Sequence, residues 1–385
     1  MLAKGRGVRV LRVSIGGCRR CVDSPLRRGH DGAMFRGWLG RSWLIVAVAS
    51  ALALSGCAQD PTAEKRAAST EVFEAVVPDD TPGCSAAVSI DGDVVWAEAR
   101  GVANLETGEQ LKTSTAIHIA SVGKQFTAVA VLMLAEQGLL SLDDSPADHL
   151  DGMPAWVEDL TINDLMHHTS GIAEFLRLPS SNFGAPPLNN DDILEFVRTS
   201  PIAQSGTPGA FSYSNTNYTL LADIVTEVTG VEFADWMQAE VFGPLDLEAR
   251  IGPPMPSDPV GYEAVVDDFM IAEPFAWEVV GPGFVTMTAS ELARWGDQLR
   301  APSLVSAETL DGALADGAPV DEGWTYGPGL LVADDGTLGH DGAGAGDETS
   351  FAVSPDRHTT IAISCNHDGL HLPTVMNDLA AVWVD

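Results

Sequence analysis

Strand-like sequence at both ends of the chain, with helical sequence between, limits the fold more than any other feature. Near the start, "CSAAVSIDGDVVWAEARGVAN" reads as two strands about the Asp91-Gly92 pair, a dipeptide that supplies the backbone conformation of a two-residue hairpin turn. Toward the end, "ASELARWGDQL" is helix-like, and "YGPGLLVAD", "ETSFAVSP" and "TTIAISC" read as strands. Between them, apolar spacing predicts a helix in the run from Thr115 to Leu140, with Gly138 as its stop. "DDILEFVRTS" and "YTLLADIVTEVTGVEFADWMQAEVF" add helical patches separated by Pro- and Gly-bearing loops. The expectation is one sheet built from residues 71–141 and 281–385, an α/β domain, with a mostly helical domain inserted at 142–280. A chain of 385 residues, 45% of them hydrophobic, is long enough for two such lobes.

Charge divides the chain differently. Up to Gly56, ten Lys and Arg stand against Asp23 and Asp31, which leaves 11 basic and 52 acidic residues in the remainder. So acidic a body repels nucleic acid and anionic lipid surfaces, and no nucleic-acid partner is expected. Arg36 and Arg41 precede "WLIVAVASALAL", an apolar run too short to span a bilayer and proportioned like a signal-peptide core. Leu54-Ser55-Gly56-Cys57 follows and resembles the bacterial lipobox. That resemblance implies lipidation of Cys57 and an extracytoplasmic, membrane-anchored lipoprotein; the other reading is an ordinary secretory signal. Met34 stands at the usual distance before such a core, so residues 1–33 are read as an upstream extension of the signal region 1–57. The Cys18/Cys21 pair has no second ligand pair nearby and is read as accidental. Residues 58–70, small and polar, are expected to form a tether. Cys84 and Cys365 lie in two of the strand segments, where an extracytoplasmic setting allows either a disulfide or two buried thiols.

The chemistry starts at "IASVGKQFTA". A serine hydroxyl needs a base within about 3 Å to become a nucleophile, and residues three apart share a helix face, so Lys124 can reach Ser121. At a helix start, Ser121 would also lie where free backbone N–H groups meet developing negative charge. Alone, this spacing is a common accident. Tyr213-Ser214-Asn215 in "FSYSNTNY" and His340-Asp341-Gly342 in "LGHDGAGAG" change its weight.

In this order, Ser-x-x-Lys, Tyr-x-Asn and His-x-Gly resemble the three motifs of the serine β-lactamase and penicillin-binding superfamily, in the branch holding class C β-lactamases, D-alanyl-D-alanine carboxypeptidases and related esterases. "LTINDLMHHTSGI", "VFGPLDLEA", "GPGFVTMTASELARW" and "YGPGLLV" resemble the same branch, and the likeness runs from about residue 72 to the end. It implies an antiparallel sheet flanked by helices, with Ser121 as acylated nucleophile, Lys124 as its base or proton relay, and Tyr213 in proton transfer during deacylation. A nearby Lys124 cation is expected to lower the Tyr213 phenol pKa. Asn215 would bond the substrate amide or Lys124. The backbone N–H groups of Ser121 and Ala343 would form the oxyanion hole, beside His340 and Gly342. No metal or organic cofactor is implied. His167 and His168 are read as structural, as are Trp236, Trp277 and Trp295, and Asp341 either tunes His340 or faces solvent.

One departure shapes the functional expectation. Class C β-lactamases usually carry Lys-Thr-Gly where this chain has His340-Asp341-Gly342, and a histidine lacks the lysine's permanent charge for an antibiotic carboxylate. The expectation is therefore a lipid-anchored serine hydrolase that forms an acyl-enzyme on small esters or D-amino-acid peptides or amides. A class C-type β-lactamase and a non-catalytic cell-surface binding protein of the same fold are the alternatives. Specificity is expected to lie in loops 175–192 and 252–280.

Overall fold

The Asp91-Gly92 turn forms as expected. Both residues take positive φ, 53° and 87°, and they join β1 (Cys84–Ile90) to β2 (Asp93–Arg100) with the twist an antiparallel pair needs. The computed structural model describes residues 61–177, 187–266, 268–273 and 278–384. The signal region, the Cys18/Cys21 pair, Met34, Cys57 and Trp277 lie outside them.

The late strands complete the sheet. They are β3 (Ala318–Asp321), β4 (Trp324–Tyr326), β5 (Leu331–Ala333), β6 (Leu338–Ala343), β7 (Glu348–Val353) and β8 (Thr359–Cys365). The order is β3-β4-β5-β6-β7-β8-β1-β2, antiparallel throughout, so the first and last strands of the chain's sheet sequence pair with each other, with only β2 beyond them at that edge. Cys84 faces Cys365 across that seam and the two are disulfide-bonded, with Sγ–Sγ 2.05 Å.

Alternation along these strands sends side chains to two different layers. Ala86, Val88, Ile361 and Ile363 pack on one face against Phe73 and Val77 and against Leu372, Val375, Leu379 and Trp383, which belong to or adjoin α1 (Pro61–Val76) and the last helix (Leu372–Trp383). The tether expected at 58–70 is therefore helical from Pro61 onward, because its Ala- and Glu-bearing sequence continues into an apolar turn that the sheet buries. Ala87 and Ala362 face the other way, into a larger core.

That core surrounds α2 (Lys124–Glu136), buried from Lys124 through Leu134. The expected helix is shorter at its start. Ile117–His118 is a strand, and Ala120–Gly123 forms a 3-10 turn before α2 begins. Its end is as expected: Gly138, at φ 69°, takes the left-handed conformation that stops a helix. Three further helices matter below: α3 (Asn190–Thr199), α4 (Asn215–Thr229) and α5 (Ala289–Trp295). Phe126, Leu221, Trp295 and Tyr326 share one continuous core, so residues 61–385 form one compact unit and the expected inserted domain is packed into it. The insertion also carries short strands at Arg250–Ile251, Tyr262–Val265 and Asp268–Ile271. No helix among the described residues is long and apolar enough to cross a membrane.

Candidate active site

Ser121 lies in the 3-10 turn ahead of α2, and the residue before it, Ala120, holds a positive φ of 47°. Such a backbone is costly for a residue with a Cβ and persists only where the surroundings enforce it. Here β6 enforces it. A Cβ on Gly342 would lie 2.4 Å from the Ile119 carbonyl oxygen and 3.1 Å from the Ser121 nitrogen. Only glycine lets the strand come this close, and Ala343 ends β6 beside the contact.

Lys124, one turn on, is fully buried. Its Nζ stands 3.0 Å from Ser121 Oγ and donates to Asn215 Oδ1 at 2.7 Å and to the Pro282 carbonyl at 2.8 Å. Burial pulls the ammonium pKa down to about 7, against an opposing pull from the Glu174 carboxylate. A neutral amine in this geometry spends two N–H groups on Asn215 and Pro282 and turns its lone pair to Ser121.

Asn215 opens α4, and Tyr213 lies two residues before it. The Tyr213 ring is half-buried, its centroid 4.9 Å from Lys124 Nζ, and its hydroxyl is hydrogen-bonded to Ser121. The expected lowering of this phenol does not occur. Burial raises it above its ordinary value and the Glu174 charge adds to that, while the Ser121 bond opposes them. Lys124, with its own pKa at about 7, is only half charged at neutral pH and does not offset that burial. Tyr213 is therefore a protonated hydroxyl in the resting site.

His340 and Gly342 face the Ser121 turn, whereas Asp341 projects to the opposite face of β6, where its carboxylate accepts from Ser350 Oγ at 2.7 Å. Asp341 touches His340 only through its backbone carbonyl, 2.6 Å from Nδ1. The other ring nitrogen, Nε2, is 3.0 Å from the Tyr326 hydroxyl. Burial and the nearby Lys124 push His340 down to about 3, so it is neutral and the Asp341 side chain does nothing to charge it.

Several contributors escaped the sequence reading. Glu174 Oε2 accepts from both the backbone N–H and the side-chain Nδ2 of Asn215, at 2.8 and 2.9 Å. Tyr326 and Tyr218 line the same cluster, Tyr218 with its ring centroid 5.6 Å from Lys124 Nζ. Tyr326 and Pro282 stood in segments already singled out for family likeness, but nothing local marked them as site residues.

His167 and His168 hold different structural places. His167 bonds the Asn163 and Ala313 carbonyls. His168 is buried, and its Nδ1 accepts from the Ser214 N–H at 3.3 Å. Trp236 and Trp295 are core residues. Among the described residues, three ligand-type atoms converge at Cys84, Cys365 and His367, where the disulfide already engages both sulfurs.

The sequence model of the family described as Beta-lactamase matches residues 71–382. "Penicillin-binding protein 4" of Amycolatopsis lactamdurans is 28% identical over 74% of this chain and 81% of its own length. "Penicillin-binding protein 4*" of Bacillus subtilis is 30% identical over 42% of this chain, which spans 36% of that protein. "D-aminopeptidase" of Gluconobacter oxydans is 28% identical over 74% of this chain and 56% of its own. An octameric penicillin-binding protein homologue from Pyrococcus abyssi superimposes with a TM-score of 0.70 at 24% identity, covering 83% of this chain and 76% of that one, which establishes the shared fold.

Proposed function

This chain belongs to the Beta-lactamase family, and from that premise we propose that it is a serine hydrolase acting through an acyl-enzyme on small esters or D-amino-acid amides and peptides. The observation that carries the reading is Lys124: a fully buried amine, brought down to about 7, set 3.0 Å from Ser121 Oγ. In acylation Lys124 takes the Ser121 proton as Oγ attacks the carbonyl carbon, and the backbone N–H groups of Ser121 and Ala343 hold the oxyanion. Collapse of the intermediate breaks the bond to the leaving group, which receives the Tyr213 proton while the Lys124 ammonium restores a proton to Tyr213. The acyl-enzyme then holds a neutral Lys124 amine beside a protonated Tyr213, as the lowered ammonium and raised phenol require. In deacylation Lys124, through the Tyr213 hydroxyl, takes a proton from the attacking water, and the resulting ammonium returns it to Ser121.

The choice of substrate rests on charge. Among the described residues, Lys124 is the only lysine or arginine bonded within this cluster, and His340 is neutral. The site thus offers no fixed cation for a substrate carboxylate, which favours esters and amides over carboxylate-bearing β-lactams and over peptides held by a free C-terminus. D-aminopeptidase and penicillin-binding relatives fit a peptide-like acyl donor. We further propose an extracytoplasmic location with Cys57 lipidated, on the strength of the Leu54-Ser55-Gly56-Cys57 motif alone; Cys57→Ala should move the protein from detergent-phase to aqueous extracts.

The test of the catalytic reading is a fluorophosphonate probe followed by intact mass. One adduct in the wild type and none in Ser121→Ala is expected, with turnover of p-nitrophenyl esters and D-amino-acid p-nitroanilides above that of a chromogenic cephalosporin. A folded wild-type protein that takes no adduct would turn the search to binding partners.

A further inference from the structure

The acylating pair does not stand alone: a carboxylate contacts it through Asn215. Glu174 Oε2 is a single oxygen that receives two hydrogen bonds from one residue, the backbone N–H and the side-chain Nδ2 of Asn215, at 2.8 and 2.9 Å. An asparagine amide has two ends, and fixing the NH2 end on Glu174 leaves the oxygen end for Lys124, where it accepts at 2.7 Å. Turned over, the amide would set its NH2 against the lysine N–H groups and its oxygen against a carboxylate, two repulsive contacts in place of two bonds.

The backbone around Glu174 is itself pinned to the start of α4. The Ala173 carbonyl accepts from Thr216 Oγ1 at 2.6 Å and from Ser214 Oγ at 3.2 Å, and the Phe175 N–H donates to Thr216 Oγ1 at 3.2 Å. The remaining carboxylate oxygen accepts from the Leu176 N–H at 3.0 Å. Three bonds lock the chain on either side of Glu174, so its side chain does not have to find Asn215; the fold delivers it there.

We propose that Glu174 is a positioning residue for the reaction, holding the Asn215 amide in the orientation that seats Lys124 against Ser121 and setting the pH range in which Lys124 works as a base. The inference rests on the reading of Lys124 as the acylation base. Around Lys124 stand Ser121, Asn215, the phenols Tyr213 and Tyr218, the imidazoles His340 and His168, and Glu174. The phenols are raised and the imidazoles lowered by burial, so both kinds are neutral near pH 7. Within this set the charge of Glu174 is the one that favours the ammonium, and its pull on Lys124 opposes burial. With it the amine titrates near neutrality; without it the amine would stay neutral to lower pH.

Sequence position gives the same reason for a carboxylate here rather than an amide. Asn215 is the first residue of a 15-residue helix, where free N–H groups and the positive end of the helix dipole favour an anion. One acidic side chain thus caps α4 and orients the amide in a single place.

The experiment measures the second-order rate of Ser121 labelling by a fluorophosphonate from pH 4.5 to 9 for the full chain and for Glu174→Gln, Glu174→Asp and Glu174→Ala. Glutamine keeps an accepting oxygen and removes the charge, so the acid limb of its profile should move to lower pH by roughly one unit, with a plateau within about tenfold of wild type. Aspartate keeps the charge, so its limb should stay near the wild-type position while its plateau falls. Alanine should lose at least about tenfold at the plateau and show the low-pH limb. A merely structural role would lower plateaus and leave the midpoint in place. A Glu174→Gln limb coincident with wild type overturns the proposal, whether or not the variant is less stable, since the midpoint is read on the folded fraction. Absence of labelling in the wild type would instead overturn the reading of Lys124 and Ser121 on which it rests.

Discussion

Acidification should switch off acylation before it unfolds the protein, and the lysine sets where. With the Lys124 pKa at about 7, half the molecules carry a neutral amine at pH 7, and the neutral fraction falls to about 1% at pH 5. The labelling rate of Ser121 should therefore drop roughly 50-fold between pH 7 and pH 5 and rise less than about twofold from pH 7 to pH 9. The assay is a time course of fluorophosphonate adduct by intact mass, with circular dichroism at each pH to show that the fold persists. Lys124→Arg provides the control, because a guanidinium does not deprotonate in this range; it should lose at least about a thousandfold at every pH. The same shift has a stability consequence with a definite sign. The unfolded lysine titrates near 10.5 and the folded one near 7, so between these values the unfolded state binds more protons and stability rises with pH, by about 5 kcal/mol across the whole window. Below pH 7 both states are protonated and the cost of burial is constant. Wild type should accordingly gain about 2 kcal/mol relative to Lys124→Met between pH 7 and pH 9, read from urea midpoints. A labelling rate flat from pH 5 to pH 8, or a Lys124→Arg variant that labels at the wild-type rate, would refute the reasoning.

Further outcomes follow from other parts of the molecule. His340→Lys brings a cation to the position where this chain has a neutral ring, and should raise kcat/KM for a chromogenic cephalosporin about tenfold relative to a neutral ester; an unchanged ratio would remove the charge argument for substrate choice. Gly342→Ala places a Cβ against the Ile119 carbonyl at 2.4 Å, a backbone atom that cannot yield, so β6 must retreat from Ser121 and labelling should fall at least about 100-fold; labelling at the wild-type rate would show that the strand is free to adjust. Cys84→Ser with Cys365→Ser opens a link across 281 residues of chain and should cost about 2–5 kcal/mol by urea unfolding, with no additional loss on adding reductant.

The sheet and the Ser121–Lys124 contact were legible because their signals are local. An Asp-Gly turn between alternating strands and a lysine three residues after a serine each act within one short segment, and the structure places Asp91-Gly92 and Ser121 with Lys124 accordingly. Tyr213, Asn215 and His340 were reached by motif likeness, and their partners were not. Glu174 lies 41 residues from Asn215 and Tyr326 lies 14 from His340, distances at which no periodicity carries information. The electrostatic misreading at Tyr213 has a physical origin. Sequence suggests which charges are near a group, but it does not say how deeply the group is buried. At Tyr213 burial raises the phenol and the Glu174 charge adds to it, whereas at His340 burial and Lys124 together keep the ring neutral, as its sequence reading allowed. Asp341 illustrates the geometric version: adjacent to His340 in sequence, it is sent to the other face of β6 by strand alternation. The tether at 58–70 failed for a third reason, since a small polar stretch becomes helix when apolar residues just beyond it find a sheet to cover.

What the site does with charge is the consequence of that burial. At neutral pH its resting groups, Tyr213, His340, His168 and about half of the Lys124 population, carry none. In the proposed acylation, proton transfer creates a Lys124 ammonium beside an oxyanion in a buried site, and separated charges in such a place are expensive unless something there was already arranged to receive them. Glu174, joined to Lys124 through Asn215, is placed to favour the ammonium, and in the proposed mechanism the backbone N–H groups at Ser121 and Ala343 favour the oxyanion. These interactions are stronger after proton transfer than before it, which is the condition for an interaction to accelerate a reaction rather than merely to tighten binding. In the proposed deacylation the same ammonium forms again as water attacks, so weakening the Glu174 contact should slow deacylation as well as move the pH of acylation. A Glu174→Ala protein given a slow ester should accumulate more acyl-enzyme by mass at steady state, relative to its own acylation rate, than wild type does. Equal accumulation would show that the carboxylate acts on the resting lysine alone.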